Sequence, residues 1–456
     1  MIMRPTLPGI KRLEIHSYFS TAGWTMLLRL MMGFIQHWGS MSASAAGESI
    51  RTMGRHRANV IRFLARQKLL SDGWILNRAA RNILKRELAG KRRGRGVWVF
   101  VVDQTFVGHQ SEKMENTFSR ANYRPRQKNS NRRQLKYAKR SCHCFVCGLL
   151  LTPGGARIPC FRSYYTRDYC QQRKCKYRSQ TELGAELICQ LPLPEGARVT
   201  VLGDTAFDAA VIRRACRERN YSWIVPLNPE RVLEGPKPRP KVSSLAKNLA
   251  VRDLAAVQLT PGKGDFAAHQ RAARCRRGRN ALTRTFYVHG ERRNIRRLGE
   301  VLLVFSSQEK PQRGQDVRIH KLLVTNDFTL SAAEVVRRYD LRWQIELFFK
   351  ELKSTLGIDQ YRFREFEKVE RWVALGLLTF LYLESYRHDR FSNKLTPQQK
   401  RWWQAQRTHG LCHAITRQME LDELQFIQRS TQTPRGIRRL RRTLKNSITL
   451  EFRIAT

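Results

Sequence analysis

The spacing of apolar positions changes character several times along the chain. Between 18 and 90, Trp24, Leu27, Leu28, Leu30, Met31 and Phe34 recur near i, i+3, i+4 spacing, which predicts an amphipathic helix. Ala43 to Ile50, a break at Thr52-Met53-Gly54 and then His56 to Leu69 have the length of a helix-turn-helix, whose second helix would carry Arg57 and Arg62. Two ordinary bundle helices fit the same pattern, and the sequence leaves both readings open.

From 97 the period shortens. Val97 to Val102 is an unbroken β-branched and aromatic run that stops at Asp103, as expected of a strand buried on both faces. Cys144 to Leu151 meets Thr152-Pro153-Gly154-Gly155 and returns through Ala156 to Phe161, a predicted hairpin. A helix is predicted near Ser179 to Gln190, and a strand at Arg198 to Leu202 closes on Gly203-Asp204. A helix at Asp208 to Arg219 and a strand at Ser222 to Leu227 follow. The order β-β-β-α-β-α-β predicts an α/β mixed sheet whose last connections are long enough for parallel pairing.

Between 228 and 320 the pattern becomes irregular, with alternation in Thr283 to Val288 and Glu300 to Phe305 that predicts a β-rich insertion. After Lys321 to Val324 one helix is predicted to about Leu356, started by a capping box of Ser331 and Glu334 and stopped at Gly357. At 100° per residue, Tyr339, Arg342, Glu346 and Lys353 fall within about 60° of one another. Leu341, Ile345, Phe348, Phe349, Leu352 and Leu356 form a separate apolar stripe roughly 100° wide.

Charge narrows the field of partners. The 456 residues include 85 Lys and Arg against 37 Asp and Glu, a formal net charge of +48 at pH 7. Such a surplus implies a polyanionic partner, and the 41 % apolar content argues against a disordered basic tail. The longest nearly unbroken apolar run, Trp372 to Leu383, is 12 residues, where a membrane span needs about 20. Nucleic acid is therefore favoured over a lipid surface. The N-terminus has no secretory apolar segment and the ten cysteines suit a reducing cytosol, so a cytoplasmic location is expected. Basic residues cluster in three stretches with almost no acid: nine in 120–140, ten in 271–297 with Glu291 alone, and seven in 429–445. Phosphates would neutralise such runs. Cys142, Cys144, Cys147, Cys170 and Cys175 have loose zinc-like spacing, but Cys144 and Cys147 would lie on opposite strand faces, so buried small side chains are expected instead.

Two predicted strands end at aspartates, Asp103 and Asp204, where the carboxyl ends of strands in a mixed sheet open onto a crevice. With Glu346 they make three carboxylates without a histidine cluster, a donor set suited to Mg²⁺, or Mn²⁺ as a substitute, rather than zinc. Two such ions can drive attack on a phosphodiester. An i, i+4 pair of Arg342 with Glu346 on an exposed helix face would explain the charged row equally well.

The spacing Tyr339-x2-Arg342-x3-Glu346-x6-Lys353 resembles the Y-R-E-K signature of the IS4-type insertion-sequence transposases. The resemblance covers about 97 to 385. It implies a ribonuclease H-like (RNase H-like) catalytic domain and a DDE triad of Asp103, Asp204 and Glu346 as catalytic and metal-holding residues. It further implies that Tyr339, Arg342 and Lys353 grip DNA phosphates, and that the enzyme acts as a homodimer on double-stranded DNA, both transposon-end inverted repeats and target. The resulting division is a helical N-terminal DNA-binding domain (1–95), a catalytic domain in two parts (96–227 and 321–390), a β-rich basic insertion (228–320) and a basic helical C-terminal segment (391–456). Two departures stand out. The family often has Asp-Arg-Gly-Phe at the second aspartate, against Asp204-Thr205-Ala206-Phe207 here, and residues 228–320 contain no Trp for stacking a flipped base. Phe286 or Tyr287 could take that place. The rival functions are another recombinase or nuclease, such as a tyrosine recombinase that works in EDTA, and a DNA-binding regulator for which the carboxylates are dispensable.

Overall fold

The computed structural model describes residues 7–37, 39–45, 57–71, 73–89, 96–109, 113–120, 140–236, 238–247, 249–259, 284–310, 312, 318–389, 396, 407–438 and 440–441. The turn of the predicted helix-turn-helix, most of the 120–140 basic stretch, the 271–283 part of the second and the end of the third lie outside them.

In the N-terminal part, α1 (Thr21–Gln36), α2 (Arg57–Arg66) and α3 (Trp74–Ala89) are amphipathic. Ser20 caps α1 by accepting from the Gly23 N–H. The predicted stripe is inward: Leu27, Leu28, Leu30, Met31 and Phe34 are buried, while Arg57 and Arg62 on α2 are exposed.

The sheet begins with β1 (Trp98–His109), β2 (Phe118–Arg120), β3 (Arg140–Leu151) and β4 (Arg157–Ser163). α4 (Arg167–Arg173), α5 (Gln180–Cys189), β5 (Val199–Leu202), α6 (Ala210–Glu218) and β6 (Ser222–Pro226) follow. Ser179 and Glu182 form a reciprocal capping box that starts α5. β1, β5 and β6 are mutually parallel; β3 returns antiparallel beside β1, and β4 beside β3. α5 packs on β1, β3 and β4. This mixed sheet with its crossover helices is the ribonuclease H-like arrangement expected.

One boundary differs from expectation. β1 does not stop at Asp103 but continues to His109, because β3 keeps pairing with it as far as His109↔Ser141. A charged residue inside the strand is tolerated because its other neighbour has already ended: β1 pairs with β5 only over Trp98–Val101.

After β6 come α7 (Val242–Lys247), β7 (Ala255–Leu259), β8 (Arg284–Ile295), β9 (Gly299–Ser307) and β10 (Lys321–Thr325). β10 lies antiparallel to β6 and β9, β9 to β8, and β8 to β7, so the strand order is β2-β3-β1-β5-β6-β10-β9-β8-β7 with β4 beside β3. The strands of the inserted region thus extend the same sheet. Phe286, read from the sequence as a base-stacking candidate, faces the core at 8 % exposure with Arg284 over its ring. β8 alternates there, and its even positions 286 and 288 point inward. Tyr287 is half-buried.

The last elements are α8 (Ala332–Asp340), α9 (Trp343–Ser354), α10 (Phe366–Asp389) and α11 (Thr408–Thr431). The run Trp372–Leu383 is the buried centre of α10, which packs against α1, α2, α3, β4 and α11. Cys142, Cys144, Cys147 and Cys170 are buried and Cys175 is exposed. Among the described residues no helix is long and apolar enough to cross a membrane.

Candidate active site

The register sets where the crevice opens. β5 ends at Leu202, opposite Val101, while β1 continues against β3 alone. Asp103 stands just past the last β1–β5 pair, and Asp204 follows β5 at the same end of the sheet. The Asp103 carboxylate accepts from the Gln104 N–H at 2.7 Å. Asp204 accepts from the Ala206 N–H at 2.9 Å and caps a short 3-10 turn, Thr205–Phe207. Phe207 is buried beneath that turn, so the aromatic anchor shared with the family pattern is kept although the two residues before it differ. Asp208 then pairs with Arg213 at 2.5 Å and Arg231 at 2.6 Å, holding the end of the loop.

The element carrying Glu346 is two helices rather than the single one predicted. The Ser331–Glu334 capping box starts α8 as expected, but Leu341 and Arg342 form a tight turn whose amides bond three residues back, to Arg338 and Tyr339. Tightening the turn advances the helical phase, as 3-10 geometry requires. The outcome is that Leu341, placed in the apolar stripe by a uniform 100° step, is exposed, while Tyr339 is buried. Ile345, Phe348, Leu352 and Leu356 keep their inward positions, and Phe349 is half-buried.

The break does not scatter the signature residues. The Tyr339 hydroxyl donates to the carbonyl of Gly203, next to Asp204, at 3.5 Å. Arg342 ion-pairs with Glu346 and reaches Asp103 at 3.6 Å. Lys353 donates to the carbonyl of Phe106 on β1 at 2.9 Å. All four are thereby tied to β1 or to the end of β5, the strands that bear the two aspartates. Only Arg342 and Glu346 present charge toward the opening, with side chains 18 % and 34 % exposed; Tyr339 is buried and Lys353 half-buried.

Electrostatics reflect this crowding. Burial raises the Asp103 pKa to about 6, helped by the negative charges of Asp204 and Glu346 and opposed by the Gln104 N–H and Arg342. Burial works against the charge of Arg342, but Tyr339, Glu346 and Asp103 outweigh it and leave its pKa raised. The Tyr339 phenol is pushed up to about 12, chiefly by burial. The Lys353 amine is shifted down, again chiefly by burial.

Sequence reasoning missed Lys321, the first residue of β10. Its amine lies 4.8 Å from the centre of the Tyr339 ring, and its pKa is lowered by burial and by the neighbouring Arg342. No motif spacing leads to it, because an antiparallel strand from beyond the insertion delivers it.

The donor set suits a divalent cation. Asp103, Asp204 and Glu346 offer carboxylate oxygens only. Hard ions such as Mg²⁺ and Mn²⁺ take that donor set. Among the described residues no three ligand side chains are already gathered around one point. Arg342, set between Asp103 and Glu346, supplies the positive charge there.

A ribonuclease H-like sheet with one carboxylate on β1 just past its last pair with β5, another following β5 and a glutamate on a later helix is the arrangement the resemblance to DDE proteins implies. A family model described as the transposase DDE domain matches residues 169–382, and one described as a DDE superfamily endonuclease matches residues 29–249. The first spans Asp204 and Glu346, the second Asp103 and Asp204. Over these two segments the chain is similar to transposase DDE domains and DDE superfamily endonucleases. It is 42 % identical over 67 residues to a putative transposase of insertion sequence element IS186A from Escherichia coli strain K12, covering 14 % of this chain and 18 % of that protein. A transposase for insertion sequence element IS421 from Escherichia coli matches with the same identity and coverage. The matched segment spans about a fifth of the length of these relatives.

Proposed function

We propose that the chain is an IS4-type transposase that cleaves phosphodiester bonds at the inverted-repeat ends of its own mobile element and transfers the freed 3′-OH ends to target DNA. The observation that supports this reading is Arg342 set between Asp103 and Glu346, at the end of the sheet where Asp204 follows β5, on a chain of net charge +48.

The geometry supports the following roles. Asp103, Asp204 and Glu346 would hold Mg²⁺, or Mn²⁺ in its place, which when bound polarises phosphoryl oxygens and activates an attacking oxygen. Arg342 can leave Glu346 and fork onto a phosphate through two parallel donors. Tyr339, hydrogen-bonded to the Gly203 carbonyl beside Asp204, and Lys353, hydrogen-bonded to the Phe106 carbonyl further along β1 from Asp103, would complete the phosphate-gripping face. The exposed arginines of β8 and the basic stretches supply backbone contacts without base reading. The chain would act as a homodimer on paired ends, at the nucleoid of a bacterial cytoplasm, with 1–95 and 391–456 flanking a catalytic domain interrupted by 228–320.

The test uses duplex DNA carrying the inverted repeats that flank the gene, incubated with the full chain with and without Mg²⁺. Cleavage should require Mg²⁺, stop in EDTA and leave no covalent protein–DNA bond. Asp103→Ala, Asp204→Ala and Glu346→Ala should each abolish cleavage and spare end binding. Retained cleavage in any one of them refutes the triad.

A further inference from the structure

Lys321 has a place that the triad and the signature residues do not account for. β10 runs antiparallel to β6, with Leu323 opposite Pro226, the last residue of β6. Lys321 therefore lies beyond the end of β6, at the same end of the sheet as Asp103 and Asp204. Its amine rests over Tyr339, whose hydroxyl reaches the carbonyl preceding Asp204. The residue as a whole is exposed, while its amine, packed over the Tyr339 ring, is partly shielded from water.

Its counterions are already engaged. The acids whose charges it feels are Glu346 and Asp340; Glu346 is paired with Arg342, and Asp340 with Arg284 at 2.6 Å. Among the described residues no carboxylate lies within ion-pair distance of Lys321. Arg342 is instead a like-charged neighbour. Two cations held side by side at the mouth of a crevice repel each other, and that arrangement is relieved when an anion lies across both.

We propose that Lys321 is a further DNA-contacting residue of this site, which binds a phosphate oxygen of the strand being cut, beside the phosphate held by Arg342. The assignment rests on the transposase reading given above. The chemistry suits the residue: an ammonium on a flexible stem is a compact point charge that follows a phosphate as it moves, whereas the guanidinium of Arg342 fixes orientation. The face of Tyr339 positions the amine when DNA is absent.

A purely structural role, with Lys321 only packing over Tyr339, makes a different prediction. The experiment compares the full-length wild type, Lys321→Met and Lys321→Arg on the flanking-repeat duplex. Affinity is measured across a salt series and cleavage in Mg²⁺ with the duplex saturating. Loss of one phosphate contact should lower the slope of log affinity against log salt by about 1. Lys321→Met should show that drop and cleave at least about tenfold more slowly, a barrier change of the order one lost charge contact produces. Lys321→Arg should restore the slope. An unchanged slope for Lys321→Met, with or without a lower melting temperature, overturns the proposal; Lys321→Gln replaces it if the Met variant does not fold. Asp204→Asn separates the two readings. If the wild type cleaves and Asp204→Asn does not, an unaltered Lys321→Met removes Lys321 alone. If Asp204→Asn still cleaves, the triad fails, while the salt slope still decides whether Lys321 touches DNA.

Discussion

Arg157, at the start of β4, should be one of the most costly single positions in the chain. Its guanidinium donates to Glu351 at 2.9 Å and to Glu384 at 2.8 Å, and lies over the Phe380 ring at 4.9 Å. Burial opposes the charge, but the two carboxylates outweigh it and raise the pKa of Arg157. Arg387 pairs with Glu384 as well, and the Thr408 hydroxyl donates to Glu351 at 2.8 Å. One network thus joins β4, α9, α10 and the start of α11. Arg157→Met fills similar space but leaves two buried carboxylates without their shared cation, which costs about 3–5 kcal/mol. At roughly 2–4 °C per kcal/mol for a domain of this size, the melting temperature should fall by roughly 6–20 °C. In a cycle with Glu351→Gln, the pair should couple by about 0.5–3 kcal/mol. Urea unfolding followed by tryptophan fluorescence measures both. Glu351 lies five residues after Glu346 on α9, so cleavage should also drop at temperatures where the variant is fully folded. A loss of stability below about 1 kcal/mol would refute the buried-network account, since surface pairs are worth no more than that. Full cleavage by the folded variant would show that the network does not position Glu346.

Three further outcomes are expected. Arg342→Lys keeps the charge but loses the fork, so end cleavage should fall by at least about tenfold while the melting temperature moves little; unchanged cleavage would remove Arg342 from phosphate recognition. His143 is buried, its Nδ1 2.8 Å from the Tyr361 hydroxyl and its Nε2 2.9 Å from the Glu115 carbonyl, and burial lowers its pKa from 6.5 to about 4. The unfolded chain therefore binds the proton more readily, and stability should be full above pH 6.5 and decline by roughly 3 kcal/mol as pH falls to 4; a His143→Phe variant that declines identically by calorimetry would exclude His143 as the source. Gly357 has φ +66°, and a Cβ there would lie 2.7 Å from the backbone of Gly39. Gly357→Ala should destabilise by about 1–3 kcal/mol through backbone strain and this close crossing, and a melting temperature equal to wild type would contradict the crossing.

Local chemistry made much of the fold legible. The apolar run from Val97, the Pro-Gly-Gly turn after β3 and the capping boxes at Ser179 and Ser331 each announce an element through interactions within a few residues. The extension of β1 past Asp103 could not be read that way, because it depends on β3 supplying a partner from some forty residues away. The turn at Leu341–Arg342 was hidden for a similar reason. Its sequence carries no Gly or Pro, and burial of Tyr339 beside Gly203 sets the phase on each side. Asp103, Asp204 and Glu346 were visible as candidates because strand ends and helix spacing are local patterns. Lys321 was not, since its proximity to Tyr339 arises only when β10 docks against β6.

The threading of the sheet has a consequence for how the protein comes into being. β1, β5 and β6 are made early, yet β10 and α9 reach the same sheet end only after the inserted strands have been synthesised. Contacts between residues as far apart as Asp103 and Glu346 close large loops and form slowly compared with local ones. A nascent chain can therefore build the sheet centre with both aspartates while the third carboxylate is still within the ribosome. Fragments that end before α9 lack Glu346 and Arg342 altogether, and so, on the proposed function, should be unable to cleave DNA however well their sheet is formed. Competence is conferred late in translation, by the element that travels furthest.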